Sequence, residues 1–274
     1  MLSQGTDRAA GRLGRAIRAG HNPTRTAADV GTPAYGGGMC GRFVVANVAS
    51  ELVGVLRVDV ETDELPPPSY NIAPTASVAI VLDSVKTEPP VRRLEVARWG
   101  LVPGWAKDVK IGARAFNARS EEIEDKLMFR NALIKRRAVI PASGYYEWKT
   151  TEAGKTPHYI HPADGSPLFF AGLYEWWKDP AKAEDDPTRW VLSCTILTRD
   201  AIGRLGSIHD RMPLFMDPDF ADAWLDPTTE NVGDILDAAV DAAPDVAETL
   251  DDHVVSSAVG NVRNDSPDLI EPVE

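Results

Sequence analysis

The fold is decided by five strand-like segments that follow one another along the chain: Ala138–Pro141 (AVIP), Gly144–Lys149 (GYYEWK), Pro157–His161 (PHYIH), Leu168–Trp177 (LFFAGLYEWW) and Trp190–Leu197 (WVLSCTIL). Each is rich in β-branched or aromatic residues, and turn-forming residues separate them, which is typical of strands. Because strands follow strands instead of alternating with helices, the pattern predicts an α+β protein. We expect a single domain on an antiparallel or mixed β-sheet or barrel-like core, with peripheral helices.

Shorter patterns outside this stretch predict further elements of both kinds. Ser50 and Ser120 are placed to cap helices, and Glu121 and Glu122 would suit the first turn of the second one. Further strands are expected over Cys40–Val45, Val78–Leu82, Leu94–Leu101 and Val254–Ala258. Helices are expected over Glu51–Arg57, from Ser120 to Arg137, and over Asp217–Leu225 and Val232–Ala242.

The chain divides into a basic head and an acidic remainder. The net charge of the 274 residues is −12, and residues 1–38 carry five Arg against Asp7 and Asp29, which leaves −15 on residues 39–274. We interpret residues 1–38 as a disordered or mis-annotated extension, and residues 39–274 as the folded domain. Net charge alone argues against nucleic-acid binding, yet phosphate contacts need only a local basic groove.

Composition indicates a globular protein of a reducing compartment. The chain is 43% hydrophobic and 26% charged, without the roughly 18 consecutive apolar residues of a membrane span. Its Arg-rich head lacks the apolar core of a secretory signal. With only Cys40 and Cys194, a disulfide framework is not expected. We therefore expect a cytoplasmic monomer without membrane association.

Cys40, in Met39-Cys40-Gly41-Arg42-Phe43, is the leading candidate for chemistry. If residues up to Met39 are removed, Cys40 has an α-amine of reference pKa about 7.7–8.0 beside a thiol of about 8.5. Together they can attack one aldehyde, the amine forming an imine and the thiol closing a five-membered thiazolidine. Arg42 is a cationic neighbour expected to lower the thiol pKa. Cys194 lies in an apolar run and is expected to be a buried small hydrophobic residue.

Asn117-Ala118-Arg119-Ser120-Glu121 lies where a strand-like region meets a predicted helix. A helix start attracts anions through its free N–H groups, and Arg119 would add a fork for phosphate. Plain capping by Ser120 explains the motif equally well.

Glu147 lies among aromatic residues in Gly144–Lys149. Strand alternation predicts Tyr145, Glu147 and Lys149 on one face, with Tyr146 and Trp148 on the other. A carboxyl in such surroundings can have a raised pKa and act as an acid or base. The motif alone favours the alternative, a surface strand with a cross-strand ion pair.

His209 belongs to Ser207-Ile208-His209-Asp210-Arg211-Met212-Pro213. Histidine is the usual proton shuttle near neutral pH, and Asp210 and Arg211 could orient it or bind phosphate. A merely structural or exposed histidine is the alternative. The chain has no HExxH, no paired CxxC and no Gly-rich phosphate loop, so we expect no metal site and no cofactor.

Taken in order, these motifs resemble the SRAP family, the "SOS response-associated peptidases", from Met39 to Val273. The motifs that carry the resemblance are Met39–Phe43, Tyr70–Thr75 (YNIAPT), Arg98–Trp105 (RWGLVPGW), Asn117–Glu121, Gly144–Lys149, Ile208–Pro213 and Val259–Asn264 (VGNVRN). The resemblance implies a protein that shields abasic sites in single-stranded DNA by linking to the open-chain sugar aldehyde. It also implies a cytoplasmic protein that is nucleoid-associated when bound.

The resemblance assigns roles to matching positions. Cys40 would form the thiazolidine, Asn117 would hold the cysteine or the sugar, and Glu147 and His209 would transfer protons in DNA–protein crosslinking and lyase-like chemistry. DNA contacts are expected from two sets of side chains, the cationic Arg42, Arg119 and Arg211 and the aromatic Trp99, Trp105 and Trp148. At least one of these tryptophans is expected to belong to the core instead.

One departure from the family pattern concerns the start of the chain. Family members carry the cysteine directly after the initiator Met, whereas here thirty-eight residues precede Met39. If they stay attached, Cys40 has no α-amine and a thiazolidine cannot form.

Two other functions remain open. One is a cysteine peptidase, self-processing included, with Cys40 as nucleophile, His209 as base and Glu147 or Asn117 as orienting group. The other is a non-covalent binder of single-stranded DNA.

Overall fold

The computed structural model describes residues 40–47, 54–84, 86 and 88–273. Residues 1–38 and the capping role predicted for Ser50 lie outside these ranges. Residues 54–56 are helical, where a helix over Glu51–Arg57 was predicted. Within the described ranges, no helix is long and apolar enough to cross a membrane.

Within the described ranges, thirteen strands form two sheets. The strands are β1 (Phe43–Val45), β2 (Val60–Glu61), β3 (Ser69–Ile72), β4 (Ser77–Ser84), β5 (Val91–Trp99), β6 (Asn117–Arg119), β7 (Arg137–Ala142), β8 (Gly144–Thr151), β9 (Gly154–Pro162), β10 (Leu168–Lys178), β11 (Trp190–Asp200), β12 (Arg211–Pro213) and β13 (Leu250–Val254). All five segments that open the sequence analysis are strands, β7 to β11. The predicted fold class is therefore confirmed.

The larger sheet closes on itself. Its strand order is β12-β11-β10-β7-β4-β5-β2, and β5 returns to pair in parallel with β11 through Ser193↔Arg98 and Cys194↔Trp99. Five strands thus form a closed ring, β11-β10-β7-β4-β5. Closure leaves no unpaired backbone edge among these five strands, and their apolar side chains fill the main core.

The smaller sheet has the order β13-β9-β8-β1-β3, and its two faces pack against different clusters. On β8, Tyr145 enters the main core, whereas Tyr146 and Trp148 pack in a second cluster with Val44 and Tyr159. The alternation predicted for β8 is confirmed. It places Glu147 on the side of Tyr145, facing the main core.

Besides the helical residues 54–56, three α-helices lie within the described ranges: α1 (Arg130–Lys135), α2 (Ala221–Leu225) and α3 (Val232–Glu248). A single-turn 3₁₀ helix at Pro218–Phe220 precedes α2, so the helix predicted over Asp217–Leu225 is present in two pieces. The longest helix, α3, buries Leu236, Ala239 and Ala243 on one face, as its spacing predicts.

The helix predicted from Ser120 to Arg137 is wrong. Residues Ser120–Glu122 form one 3₁₀ turn after β6, and α1 begins only at Arg130. Glu121, interpreted as a helix-dipole partner, instead binds Arg211 through both carboxylate oxygens. Since the two elements are separate, the predicted helix N-terminus at Asn117–Glu121 does not exist, and it supplies no anion site.

The last predicted strand is also misplaced. The strand ends at Val254, and a 3₁₀ turn at Ser257–Gly260 follows it. The hydroxyl of Ser256 accepts the amide of Ala258 at 3.2 Å, which caps that turn and competes with strand pairing. The apolar Val254–Ala258 run is therefore split between two elements.

Candidate functional site

Cys40 lies just before β1, with its amide held by a carboxylate. The backbone N–H of Cys40 donates to Oε1 of Glu147 at 2.5 Å. Tyr146 N donates to Arg42 O at 2.9 Å, which holds this arm of the chain along β8. Cys40 is 4% exposed and has φ +40°, a conformation rarely adopted outside glycine. The surrounding contacts thus fix an unfavourable backbone conformation at the predicted nucleophile.

Glu147 is a buried carboxyl, with 3% of its surface exposed. Burial raises its pKa above the usual range, while the charge of His209 and the hydrogen bonds from Cys40 oppose that shift. Such a group holds its proton to a higher pH than an ordinary glutamate, so it can donate a proton and then accept one. Because Glu147 is buried, the alternative interpretation of a surface strand with a cross-strand ion pair is wrong.

The thiol of Cys40 is protonated under ordinary conditions. Burial raises its pKa well above the usual value, and the neighbouring Glu147 raises it further, whereas Arg211 lowers it. Arg211, and not the sequence neighbour Arg42, is the cation that lowers this pKa most. The guanidinium of Arg42 points instead to Asn71 Oδ1 at 2.9 Å and to the Val259 carbonyl at 2.8 Å, so it ties β3 and the C-terminal segment to β1.

Asn117 contacts Cys40 from the larger sheet. Its position is set by β6, which pairs in parallel with β11 through Asn117↔Ile196. The Nδ2 group donates to the Cys40 carbonyl at 3.4 Å. Cys40 is therefore held at its nitrogen by Glu147 and at its carbonyl by Asn117.

His209 lies in the loop before β12 and is half-buried. Its Nδ1 accepts the backbone N–H of Arg211 at 3.0 Å, so the neutral ring carries its proton on Nε2. Asp210 Oδ1 is also 3.0 Å from Nδ1 and would accept a proton from the charged ring. Because the charge of His209 lowers the pKa of Glu147, the two groups act on each other across 62 residues of sequence.

Arg211 is an internal anchor whose guanidinium binds groups of the protein itself. Its side chain is 7% exposed and binds the carboxylate of Glu121 at 2.8 and 2.9 Å. It also binds the Asp200 carboxylate and, at 2.9 Å, the carbonyl of Thr198. With its guanidinium so occupied, the predicted phosphate contact of Arg211 is wrong. Its backbone amide nevertheless orients His209.

The three predicted stacking tryptophans lie in three different environments. Trp99 is completely buried, and its Nε1 donates to the Phe116 carbonyl at 2.9 Å, so the prediction that it stacks on a base is wrong. Trp148 is half-buried against the second cluster. Trp105 is 60% exposed on the loop after β5 and offers a free ring face.

Basic side chains lie near Trp105 in the sequence. Lys110 and Arg114 line a surface depression of about 430 Å³. Arg119 is half-exposed at the end of β6, with only Glu122 at 3.5 Å as an ion-pair partner in the described part of the chain. Lys110 and Arg114 are therefore the two cations that the structure places on one depression.

Two features of the site escaped sequence reasoning. Asn71 binds Arg42 and donates to the carbonyls of Val259, Asn261 and Asn264 at 2.8–3.2 Å, so it fixes the C-terminal segment. Glu121 orients Arg211, and through it His209. Asn71 lies within Tyr70–Thr75, but a motif does not reveal which distant carbonyls its side chain meets. The described residues contain no group of three or more His, Cys, Asp or Glu side chains arranged for a metal ion.

Comparison with known proteins gives one consistent result. The family model "SOS response associated peptidase (SRAP)" matches residues 39–262. "Abasic site processing protein YoqW" of Bacillus subtilis is 35% identical over 238 residues, covering 85% of this chain and 99% of that protein. "Abasic site processing protein YedK" of Escherichia coli is 32% identical over 239 residues, covering 86% of this chain and 100% of that protein. A crystal structure of a Bacteroides thetaiotaomicron protein shares the fold, with a TM-score of 0.68 at 22% identity over 86% of this chain and 100% of that one.

Proposed function

This chain belongs to the SRAP family, and we propose that it senses and shields abasic sites in single-stranded DNA by linking covalently to them through Cys40. The relatives named as abasic site processing proteins span nearly their full length on this chain, which supports the substrate class. The site supports the chemistry, because it collects a nitrogen, a thiol, a carboxyl and an imidazole around one residue. The reactive form would begin at Cys40, after removal of the residues before it.

The observation that carries the proposal is the 2.5 Å contact between Cys40 N and Glu147 Oε1. In the processed protein this nitrogen would be an α-amine, and Glu147 would take its proton and leave it nucleophilic. The raised thiol pKa makes the amine the first group to attack. The buried Glu147 would then protonate the hydroxyl of the carbinolamine, so that water leaves and the imine forms.

The second bond would close the ring. The Cys40 sulfur would add to the carbon of the protonated imine (the iminium), the thiol proton would go to a neighbouring base, and a neutral thiazolidine would result. In this scheme His209 would share the proton transfers with Glu147, and Asn117 would fix the Cys40 carbonyl so that amine and thiol face the same carbon. Trp105 and Arg119 would contact a base and a phosphate beside the lesion.

Intact mass spectrometry tests the proposal. Protein that begins at Cys40 is incubated with a single-stranded oligonucleotide containing one abasic site. We expect a mass equal to the sum of the two, minus one water. Cys40→Ser should abolish it, whereas Cys194→Ala, which alters the other cysteine in the core of β11, should not. An adduct that persists in Cys40→Ser, or its absence from the unaltered protein, would overturn the proposal.

Self-processing at Met39–Cys40 is a second candidate. The nitrogen that bonds to Glu147 is also the leaving group of that peptide bond. The Cys40 sulfur would add to the Met39 carbonyl carbon, Glu147 would protonate the departing nitrogen, and water would hydrolyse the resulting thioester. A peptidase acting on other chains is less well supported, because the contact with Glu147 involves the peptide bond that precedes Cys40 itself.

N-terminal sequencing of the full-length chain after purification tests self-processing. We expect chains that begin at Cys40, and Glu147→Gln should accumulate the uncleaved form. Equal cleavage in both would assign the processing to another protein.

A further inference from the structure

His158 lies on the same face of the smaller sheet as Glu147, and the sequence analysis assigned it no role. In the antiparallel pair of β8 and β9 it lies directly opposite Glu147. Facing residues of such a pair have Cβ atoms about 4.5–5.5 Å apart and project to the same side of the sheet. His158 is also buried, with 9% of its surface exposed. A buried imidazole thus stands beside the carboxyl that holds the nitrogen of Cys40.

The ring of His158 is fixed by a carboxylate. Its Nδ1 lies 2.9 Å from Oδ2 of Asp252 on β13, and Oδ1 of Asp252 is held by Arg204 at 2.7 Å. Since Asp252 accepts, Nδ1 carries a proton and Nε2 is the nitrogen left to exchange one. In the described ranges, the side chain of His158 makes its hydrogen bond through Nδ1 alone. The carboxylate of Asp252 thus fixes the orientation of the ring.

The charged groups around His158 come from two strands. β8 contributes Glu147, and β13 contributes Asp252, with Arg204 behind it. The 3₁₀ turn Ser257–Gly260, which also packs on β9, carries no charge. Burial, Cys40, Glu147 and Asp252 all raise the pKa of Tyr145, so Asp252 acts on the same buried space as Cys40 and Glu147.

We propose that His158, oriented by Asp252, is a proton-relay residue that returns to Glu147 the proton this carboxyl gives up during crosslinking. It acts through Glu147 and does not touch the sugar, so it is a positioning and relay group. The route runs along one row of the smaller sheet, from β8 to β9 and then to β13. His209, in the loop before β12, also acts on Glu147, because its charge lowers the pKa of that carboxyl.

The proton balance closes over the two bond-forming steps. When the carbinolamine C–O bond breaks, Glu147 gives its proton to the departing water and becomes a carboxylate. The His158 imidazolium then gives a proton to Glu147 and becomes neutral. When the thiol adds to the iminium carbon, one proton is released and recharges His158. The amine, aldehyde and thiol thus yield a thiazolidine and one water with no net proton uptake.

This inference rests on the proposed function, so its test uses the rate of crosslinking by protein that begins at Cys40. His158→Asn keeps a donor for Asp252 but cannot relay a proton. We expect the adduct to form at a rate reduced by roughly 10²-fold, the lower end for general acid–base groups. We also expect the pH–rate profile to lose one ionisation, and added imidazole to restore part of the rate. His161→Asn, on the other face of β9, is the matched control and should behave as the unaltered protein.

The outcomes separate the two ideas. If the unaltered protein forms no adduct, the proposed function fails. If it forms the adduct, and His158→Asn shows the same pH–rate profile with no response to imidazole, the relay is overturned and the proposed function stands. Should His158→Asn not fold, Asp252→Asn provides the test, because the ring loses the acceptor of its Nδ1 proton, so the crosslinking rate should fall and the pH–rate profile should change. An unchanged rate and profile in Asp252→Asn would then contradict the relay.

Discussion

Replacing Glu147 by glutamine distinguishes two effects of this side chain: its proton transfer during crosslinking, and its effect on the free energy of unfolding. Glutamine keeps an oxygen that can accept the N–H of Cys40, so the 2.5 Å contact survives in kind. It cannot give or take a proton. We therefore expect the crosslinking rate to fall by roughly 10²–10⁴-fold, the range for a general acid–base group.

The stability of the same variant should depend on pH with a defined sign. Burial raises the folded-state pKa of Glu147, so its contribution to stability is complete below about pH 4.3, the unfolded value, and is lost as pH rises through the folded pKa. Each unit of that shift contributes about 1.4 kcal/mol. Glu147→Gln carries no charge at any pH. The difference in free energy of unfolding, variant minus unaltered protein, should therefore become more favourable to the variant as the pH rises from 4 to 8.

Urea unfolding at pH 4 and at pH 8 measures this difference. Glu152→Gln, an exposed substitution in the turn of the same β8–β9 hairpin, is the control, and its effect should stay within about 0.5 kcal/mol at both values. Equal stability changes for Glu147→Gln at pH 4 and pH 8 would mean that the carboxyl is not desolvated. A normal crosslinking rate would mean that another group supplies the proton.

Further predictions concern the nucleophile, the tryptophans and the basic surface. Cys40→Ser should keep non-covalent affinity for single-stranded DNA in a fluorescence anisotropy titration, and loss of that affinity would make Cys40 part of the binding surface. Trp99→Ala should destabilise the fold by about 3–5 kcal/mol in urea unfolding, because its ring fills the core. Trp105→Ala should leave stability nearly unchanged and weaken DNA binding by about 1–3 kcal/mol if the ring stacks on one base. Arg119→Ala should reduce the dependence of DNA affinity on salt concentration, and an unchanged slope would assign Arg119 to its ion pair with Glu122.

The strands could be predicted from sequence because their signal is local. The run from Ala138 to Leu197 alternates apolar, aromatic and turn residues, and those residues alone predict β7 to β11. The face of Glu147 follows from the same alternation. Its contact with Cys40, by contrast, depends on how β1 pairs with β8, and no local pattern contains that register.

The errors arise where a distant partner outweighs a local preference. Glu121 has the position and charge of a first-turn helix residue, yet it binds Arg211, 90 residues further on. Arg211 in turn looks like a phosphate ligand until Glu121 and Asp200 are seen around it. His158 gives no signal in the sequence, because its partners lie across the strands: Glu147 faces it on β8, and its Nδ1 bonds to Asp252 on β13.

The hydrogen bonds of Arg42 and Cys40 also decide when during synthesis the reactive site can exist. Cys40 meets Glu147 across 107 residues, and Arg42 meets the Val259 carbonyl across 217. A ribosome releases the N-terminal arm first, but the groups that hold it emerge much later. Contacts of such long range form slowly and only when nearly the whole domain has been made. A nascent chain therefore carries Cys40 without its carboxyl partner, so the site proposed to react with an aldehyde is complete only when the whole domain has folded.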